Sequence, residues 1–203
     1  MTDKEKWQKL YNSADKYDIF LKTIKEVQLP CIEAMKLYNQ NTEHHPEGLT
    51  IYDHVMKVLQ VHKSNNRMLN LALLFHDIGK PLVAEKSPNG DYYRFYNHDT
   101  EGELYCKELA EQYGWDQTTY DIISFCCRHH MRFHHIISMK PSKIFKLTQM
   151  PYYEYLVLVA FADEKCRGFS TFNDTWNERM DKIQEVSKLY GETVYEYGRY
   201  RFK

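Results

Sequence analysis

Leu71-Ala72-Leu73-Leu74-Phe75-His76-Asp77-Ile78-Gly79-Lys80-Pro81 is the stretch whose reading decides both the fold and the chemistry. An unbroken apolar run leads straight into a histidine and an aspartate, and a Gly-Lys-Pro break follows. Both polar side chains are costly to bury unpaired, and residues of these types seldom lie fully inside a protein. A cation held between them satisfies both. The run predicts a core helix over 67–77 with the pair at its end, the two side chains about 100° apart and able to converge beyond the last turn. Gly79 allows a sharp turn there, and Pro81 keeps the helix from continuing.

Working outward, helical periodicity dominates. Residues 3–12 and 15–27 read as short amphipathic helices, and 31–38 as another. Residues 39–49 form a polar loop punctuated by Pro46 and Gly48. Thr50 then serves as N-cap of a helix reaching His62, with Ile51, Val55, Val58 and Leu59 on one face and His54 on the core side. Pro88-Asn89-Gly90-Asp91, set between Val83-Ala84 and Tyr92–Tyr96, is a hairpin signal. Further helices are expected at 99–113, 117–130, 141–148, 152–166 and 174–190. The expected fold class is therefore all-α: a single-domain helical bundle with a small β-hairpin near residues 82–96. Residues 1–40 are expected to be an N-terminal helical extension packed on the core, 41–190 the principal domain and 191–203 a Tyr- and Arg-rich tail that packs back or frays.

Bulk properties narrow the function class. The formal net charge of −1 argues against an extended nucleic-acid coat. No apolar run approaches the roughly 20 residues needed to span a bilayer, so no membrane is expected. The first residues are charged and carry no signal-peptide stretch. Five cysteines without CxxC spacing fit free thiols in a reducing compartment. Cytoplasmic is the expected location.

Six positions carry ligand-type side chains into helical contexts: His54, His76, Asp77, His98, His129 or His130, and Asp163. Asp163 ends the apolar run Tyr155–Ala162, a second carboxylate delivered into a hydrophobic setting. Nitrogen and hard oxygen together suit a divalent transition metal, Mn, Fe, Co, Ni or Zn, and Mg less well. Cys166, one helical turn from Asp163, is placed to approach the same point. Lys80, just past the ligand pair, is either a phosphate-binding point charge or an ordinary cation at a helix C-terminus. Arg128, Arg132 and Arg167 flank the ligands and offer guanidinium forks for phosphate, one or two of them in contact with substrate. His134 and His135 read as a loop near the cleft entrance. His44 and His45 read as surface or supporting residues, and His62 as solvent-facing.

His54, then His76-Asp77, then Asp163 resembles the H…HD…D pattern of the HD-domain metal-dependent phosphohydrolases. The resemblance extends to His45-Pro46-Glu47 before Ile51-Tyr52-Asp53-His54, to Leu74–Pro81, to Phe95-Tyr96-Asn97-His98, to Arg128–Arg132 and to Ala162-Asp163. These runs are similar to the HD domain attached to bacterial CCA-adding enzymes, and cover about residues 44–170. The polymerase motif of those enzymes, Gly-Ser with paired Asp, is absent from these residues, so the resemblance implies only the phosphohydrolase part. It implies one or two divalent ions that make hydroxide available from water near neutral pH. Asp77 would be a ligand or a bridge able to orient the attacking water, and His98 with His130, or alternatively His129, a second ligand group. It tips Lys80 toward a catalytic, phosphate-binding role. The substrates it implies are small nucleotides, 2′,3′-cyclic phosphates or phosphorylated RNA ends. A 5′-mononucleotide phosphatase and a non-catalytic, metal-containing nucleotide sensor are the alternatives. No Gly-Tyr-Pro motif follows the ligands, which gives no support for a cyclic-di-GMP enzyme.

Overall fold

Polar side chains cap four of the described helices. Thr2 and Glu5 form a reciprocal capping box at the head of α1 (Asp3–Ser13), and Thr50 and Asp53 form another at α4 (Ile51–His62). Each box satisfies two backbone N–H groups left free by the first turn. Asn66 accepts from the Leu69 N–H at the start of α5 (Arg67–Phe75), and Asp116 from that of Thr119 at α7 (Gln117–His134). The other helices are α2 (Tyr17–Val27), α3 (Pro30–Ala34), α6 (His98–Tyr113), α8 (Pro141–Thr148), α9 (Tyr153–Cys166) and α10 (Phe172–Leu189). A computed structural model describes residues 1–191; the remainder of the expected tail lies outside the described residues. The protein is all-α. The only strands among the described residues are β1 (Glu85–Lys86) and β2 (Tyr93–Arg94), antiparallel with Glu85 opposite Arg94.

Some boundaries differ from expectation, each for a local reason. α5 stops at Phe75 instead of 77, because the chain tightens: Ile78 N–H bonds to Phe75 O and Lys80 N–H to Asp77 O. A 3-10 turn over Lys80–Val83 follows, so Leu82 and Val83 belong to that turn and the hairpin strands are shorter than 82–96 suggested. Residues 31–38 divide into α3 and a 3-10 turn over Met35–Leu37. α7 runs past residue 130 to His134, since nothing in Met131–Phe133 breaks a helix and Phe133 is drawn into the core.

α4, α5, α7 and α9 pack on one another, and α6 lies on α7 and on the Lys80–Val83 turn. α9 explains how one chain supports two apolar clusters. Val159 and Ala162 face a core shared with Trp7, Phe20, Ile51, Leu59 and Phe75, whereas Leu156, Val157 and Ala160 face Phe133, Ile144, Trp176 and Ile183. A helix apolar on all sides is a buried one. The N-terminal helices contribute Trp7, Leu10, Phe20 and Ile24 to the same core as α4 and α5.

Gly79 acts differently from the sequence expectation. Its φ of −78° is open to any residue, so the turn does not require glycine's freedom. The approach of α6 does: a Cβ on Gly79 would stand 2.1 Å from the His98 carbonyl oxygen and 2.6 Å from the Gly102 nitrogen. Gly102 in turn leaves room for the Cys127 sulfur. Paired glycines thus seat the head of α6, and with it His98, against the His76-Asp77 turn.

Candidate metal centre

Asp77 stands at the middle of the site with both carboxylate oxygens in use. Its Oδ2 lies 3.4 Å from His54 Nε2 and 3.4 Å from His76 Nε2, while its Oδ1 lies 3.4 Å from His98 Nε2 and 3.5 Å from His130 Nε2. Two histidine pairs therefore flank one carboxylate on opposite oxygens. Asp163 Oδ1 approaches His54 Nε2 to 3.2 Å and completes the first group. Each of these side chains is buried. The four helices that carry them and the turn after α5 converge because their apolar faces share one core.

The ring orientations are imposed by neighbouring acceptors. His76 Nδ1 lies 2.8 Å from Leu73 O, His98 Nδ1 2.8 Å from Phe95 O, and His130 Nδ1 2.8 Å from Cys127 O. Donating from Nδ1 leaves Nε2 with a lone pair directed at the centre, the arrangement found behind metal-binding histidines. His54 is oriented instead by Glu47, whose Oε1 sits 2.5 Å from its Nδ1 and 3.0 Å from His45 Nδ1. The Nε2 atoms of His54 and His76 are buried with no hydrogen-bond partner. Buried polar atoms of this kind are normally satisfied. A cation among His54, His76 and Asp77 would satisfy them, Asp163 and Cys166 share a group with the same His54, and Asp77, His98 and His130 form a further group with ligand spacing.

Charges around the cluster support it. Burial opposes ionisation of Asp77, but Lys80, 2.7 Å away, and the surrounding imidazoles hold its carboxyl well below the usual range. Burial likewise opposes the charge on Asp163, which Arg167 at 2.9 Å and His134 at 2.6 Å outweigh. Burial pushes His130 down to about 4, so this ring is neutral and able to ligate at physiological pH. Lys80 Nζ is also anchored on Gln40 Oε1 at 2.7 Å.

The adjacent histidines of α7 separate cleanly. His130 turns into the cluster, whereas His129 packs its ring on Phe125, 4.8 Å between centroids. Of the arginines, Arg167 lines the cavity above the cluster; Arg128 is committed to Asp99 and Glu103, and Arg132 lines a separate cavity with Lys143 and Lys146. Neither Arg128 nor Arg132 is brought to the ligands. His134 is not in a loop at the entrance: the longer α7 carries it inward to Asp163. Of the two readings of His45 the supporting one holds: it is mostly buried, its ring edge-on to His54. Cys166 does approach, its sulfur 3.7 Å from His54 Nδ1, but burial raises its pKa and keeps it a thiol. Glu47, Gln40 and Arg94 line or support the site without having been assigned a role from sequence. Glu47 alone carried a signal, its place in the His45-Pro46-Glu47 run.

Comparison with known proteins agrees with this geometry. The HD domain model matches residues 51–167. The multifunctional CCA protein of Acinetobacter baumannii strain AYE is 30% identical over 139 residues, 65% of this chain and 32% of that protein. The protein of the same name from strain SDF is 28% identical over 138 residues, 65% of this chain and 32% of its own length. That from Acinetobacter baylyi is 27% identical over 141 residues, 66% of this chain and 33% of its own length. The chain spans about a third of the length of these curated relatives. With the matched segment carrying the clustered His54, His76-Asp77 and Asp163, the chain belongs to the HD-domain family of metal-dependent phosphohydrolases.

Proposed function

We propose that the chain hydrolyses phosphate mono- or diesters of nucleotides or of RNA ends, 2′,3′-cyclic phosphates among them, in the cytoplasm. The observation that carries this reading is Asp77, which faces one histidine pair from each carboxylate oxygen and so offers adjoining places for two cations. His54, His76, Asp77 and Asp163 would hold one divalent ion and Asp77, His98 and His130 a second, and ions bound there would supply Lewis acidity and a source of hydroxide at neutral pH. The chain's own residues bind and orient the ester. Lys80 opens onto the same cavity as Asp77 and brings a positive charge beside the place where phosphoryl charge builds up. Arg167 keeps one nitrogen on Asp163 and lines the same cavity, adding a second positive charge near the phosphate. Asp77, Lys80 and Asp163 are buried, which strengthens every such interaction.

The 2′,3′-cyclic and RNA-end part of the proposal is supported by the likeness to multifunctional CCA proteins. Five buried, unpaired thiols support a reducing compartment. No described helix is long and apolar enough to cross a membrane. The test is hydrolysis of p-nitrophenyl phosphate, bis-(p-nitrophenyl) phosphate and 2′,3′-cyclic nucleotides by chain loaded with Mn, Co or Ni. Turnover of at least one ester, abolished by chelation, is expected. A chain that keeps its metal and cleaves none of them would have a sensing role instead.

A further inference from the structure

The cavity above the metal centre is larger than phosphate chemistry needs. It encloses about 430 Å³, within the range of about 300–1,000 Å³ that holds whole organic ligands. Asp77, His98, His130 and Asp163 occupy its floor, and the segment Tyr92–Tyr96 builds one wall. That wall is used by the fold at alternate positions only. Tyr93 packs edge-on to Tyr38, with ring centroids 5.1 Å apart, and the Phe95 ring lies 5.7 Å from Lys80 Nζ.

The other positions are unspent. Tyr96 is 63% exposed and stands at the rim. Tyr92 also lines the cavity, and its ring makes no aromatic contact among the described residues. The Arg94 guanidinium, facing the same space, has no ion-pair or hydrogen-bond partner among the described residues, although Glu85 is its cross-strand neighbour. Flat π faces beside a free guanidinium fork suit a planar, acceptor-bearing ring system. A simple alkyl ester uses neither feature.

We infer that this wall is a nucleobase-binding arm: the base stacks on Tyr96 and Tyr92 while Arg94 donates to the acceptor atoms of its edge. Arg94, Tyr92 and Tyr96 thereby set a preference for nucleotides over base-free phosphate esters. The inference rests on the proposed function in placing the phosphate at the Asp77 end of the cavity. Stacking of one base on an aromatic side chain commonly accounts for about tenfold or more in affinity.

Equilibrium dialysis of the full chain, stripped of metal so that ligand is not consumed, compares adenosine and guanosine 5′-monophosphate with ribose 5-phosphate. Adenosine and guanosine themselves serve as phosphate-free probes. Nucleotides are expected to bind more tightly than ribose 5-phosphate, and Arg94→Ala and Tyr96→Ala each to shrink that ratio by about tenfold. Tyr96→Phe, which keeps the stacking face, should restore it. Equal affinity for nucleotides and ribose 5-phosphate, a ratio unmoved by both alanine variants, or no binding of any nucleotide or nucleoside overturns the inference. Base-dependent binding without turnover of any ester sinks phosphohydrolysis and leaves the arm standing; turnover without base dependence does the reverse.

Discussion

Replacing Gly79 by alanine adds a single methyl group where the structure has no room for one. The new carbon would stand 2.1 Å from His98 O, 2.6 Å from Gly102 N and 2.7 Å from Gly102 Cα. All three are backbone atoms, so no rotamer change relieves the overlap. Ordinary carbon contacts begin near 3.5 Å, and the head of α6 must therefore move away from the His76-Asp77 turn by roughly an ångström. Overpacking of this kind costs about 1–3 kcal/mol, which for a domain of this size lowers Tm by roughly 2–12 °C. His98 rides on the displaced helix end, and a misplacement of about 1 Å can cost roughly 100-fold in rate. Calorimetry of the chelated protein reads the first effect; metal analysis and ester turnover of the loaded protein read the second. Gly90→Ala is the control, because no atom lies within 4 Å of its added carbon and only its positive φ of 79° is strained. If Gly79→Ala melts with the wild type and retains full metal and turnover, the reasoning about the α6 seat is refuted.

Asp77→Ala removes the carboxylate shared by both ligand groups and should abolish bound metal together with activity; stoichiometric metal in that variant, by elemental analysis, would overturn the assignment. His98→Ala and His130→Ala should each lower metal content from two ions toward one, and unchanged content and turnover in both would make the site mononuclear. Lys80→Met should reduce turnover by about 100- to 1,000-fold. Because it strips a buried partner from Asp77, it should also destabilise the chelated protein, by about 3–5 kcal/mol, and the metal-loaded protein by less, as urea titration would show. Glu47→Gln, which weakens the tether on His54, should lower metal affinity by about 10- to 100-fold with little loss of fold. Burial opposes the charged form of His54, but Asp163, Cys166 and Glu47 outweigh it and hold its pKa well above the usual value. Metal must displace that proton, so binding near pH 7 should release one and tighten as pH rises; calorimetry in buffers of different ionisation enthalpy checks the sign.

The sequence by itself determined the elements and the ligand types, because both are written in local order. Apolar spacing and the Thr50 and Asn66 caps define helices through short-range hydrogen bonds, and an apolar run ending in His76-Asp77 or Asp163 announces a polar group carried inward. Rotation about a helix axis is not local. Whether His129 or His130 faces the site depended on which side of α7 packs on α5 and α9, and the same packing carried His134 to Asp163 and left Arg128 with Asp99. Glu47, Gln40 and Arg94 lie in loops or a two-residue strand, where no period predicts direction, and they reach the site only because the chain around Asn39 is bridged to Thr50 and Tyr93. Gly79 looked like a turn residue and proved to be a contact between elements, since its need for a missing Cβ arises from α6, 19 residues away at His98. Tertiary packing alone decides such contacts, because it brings together backbone that the chain's own order keeps apart.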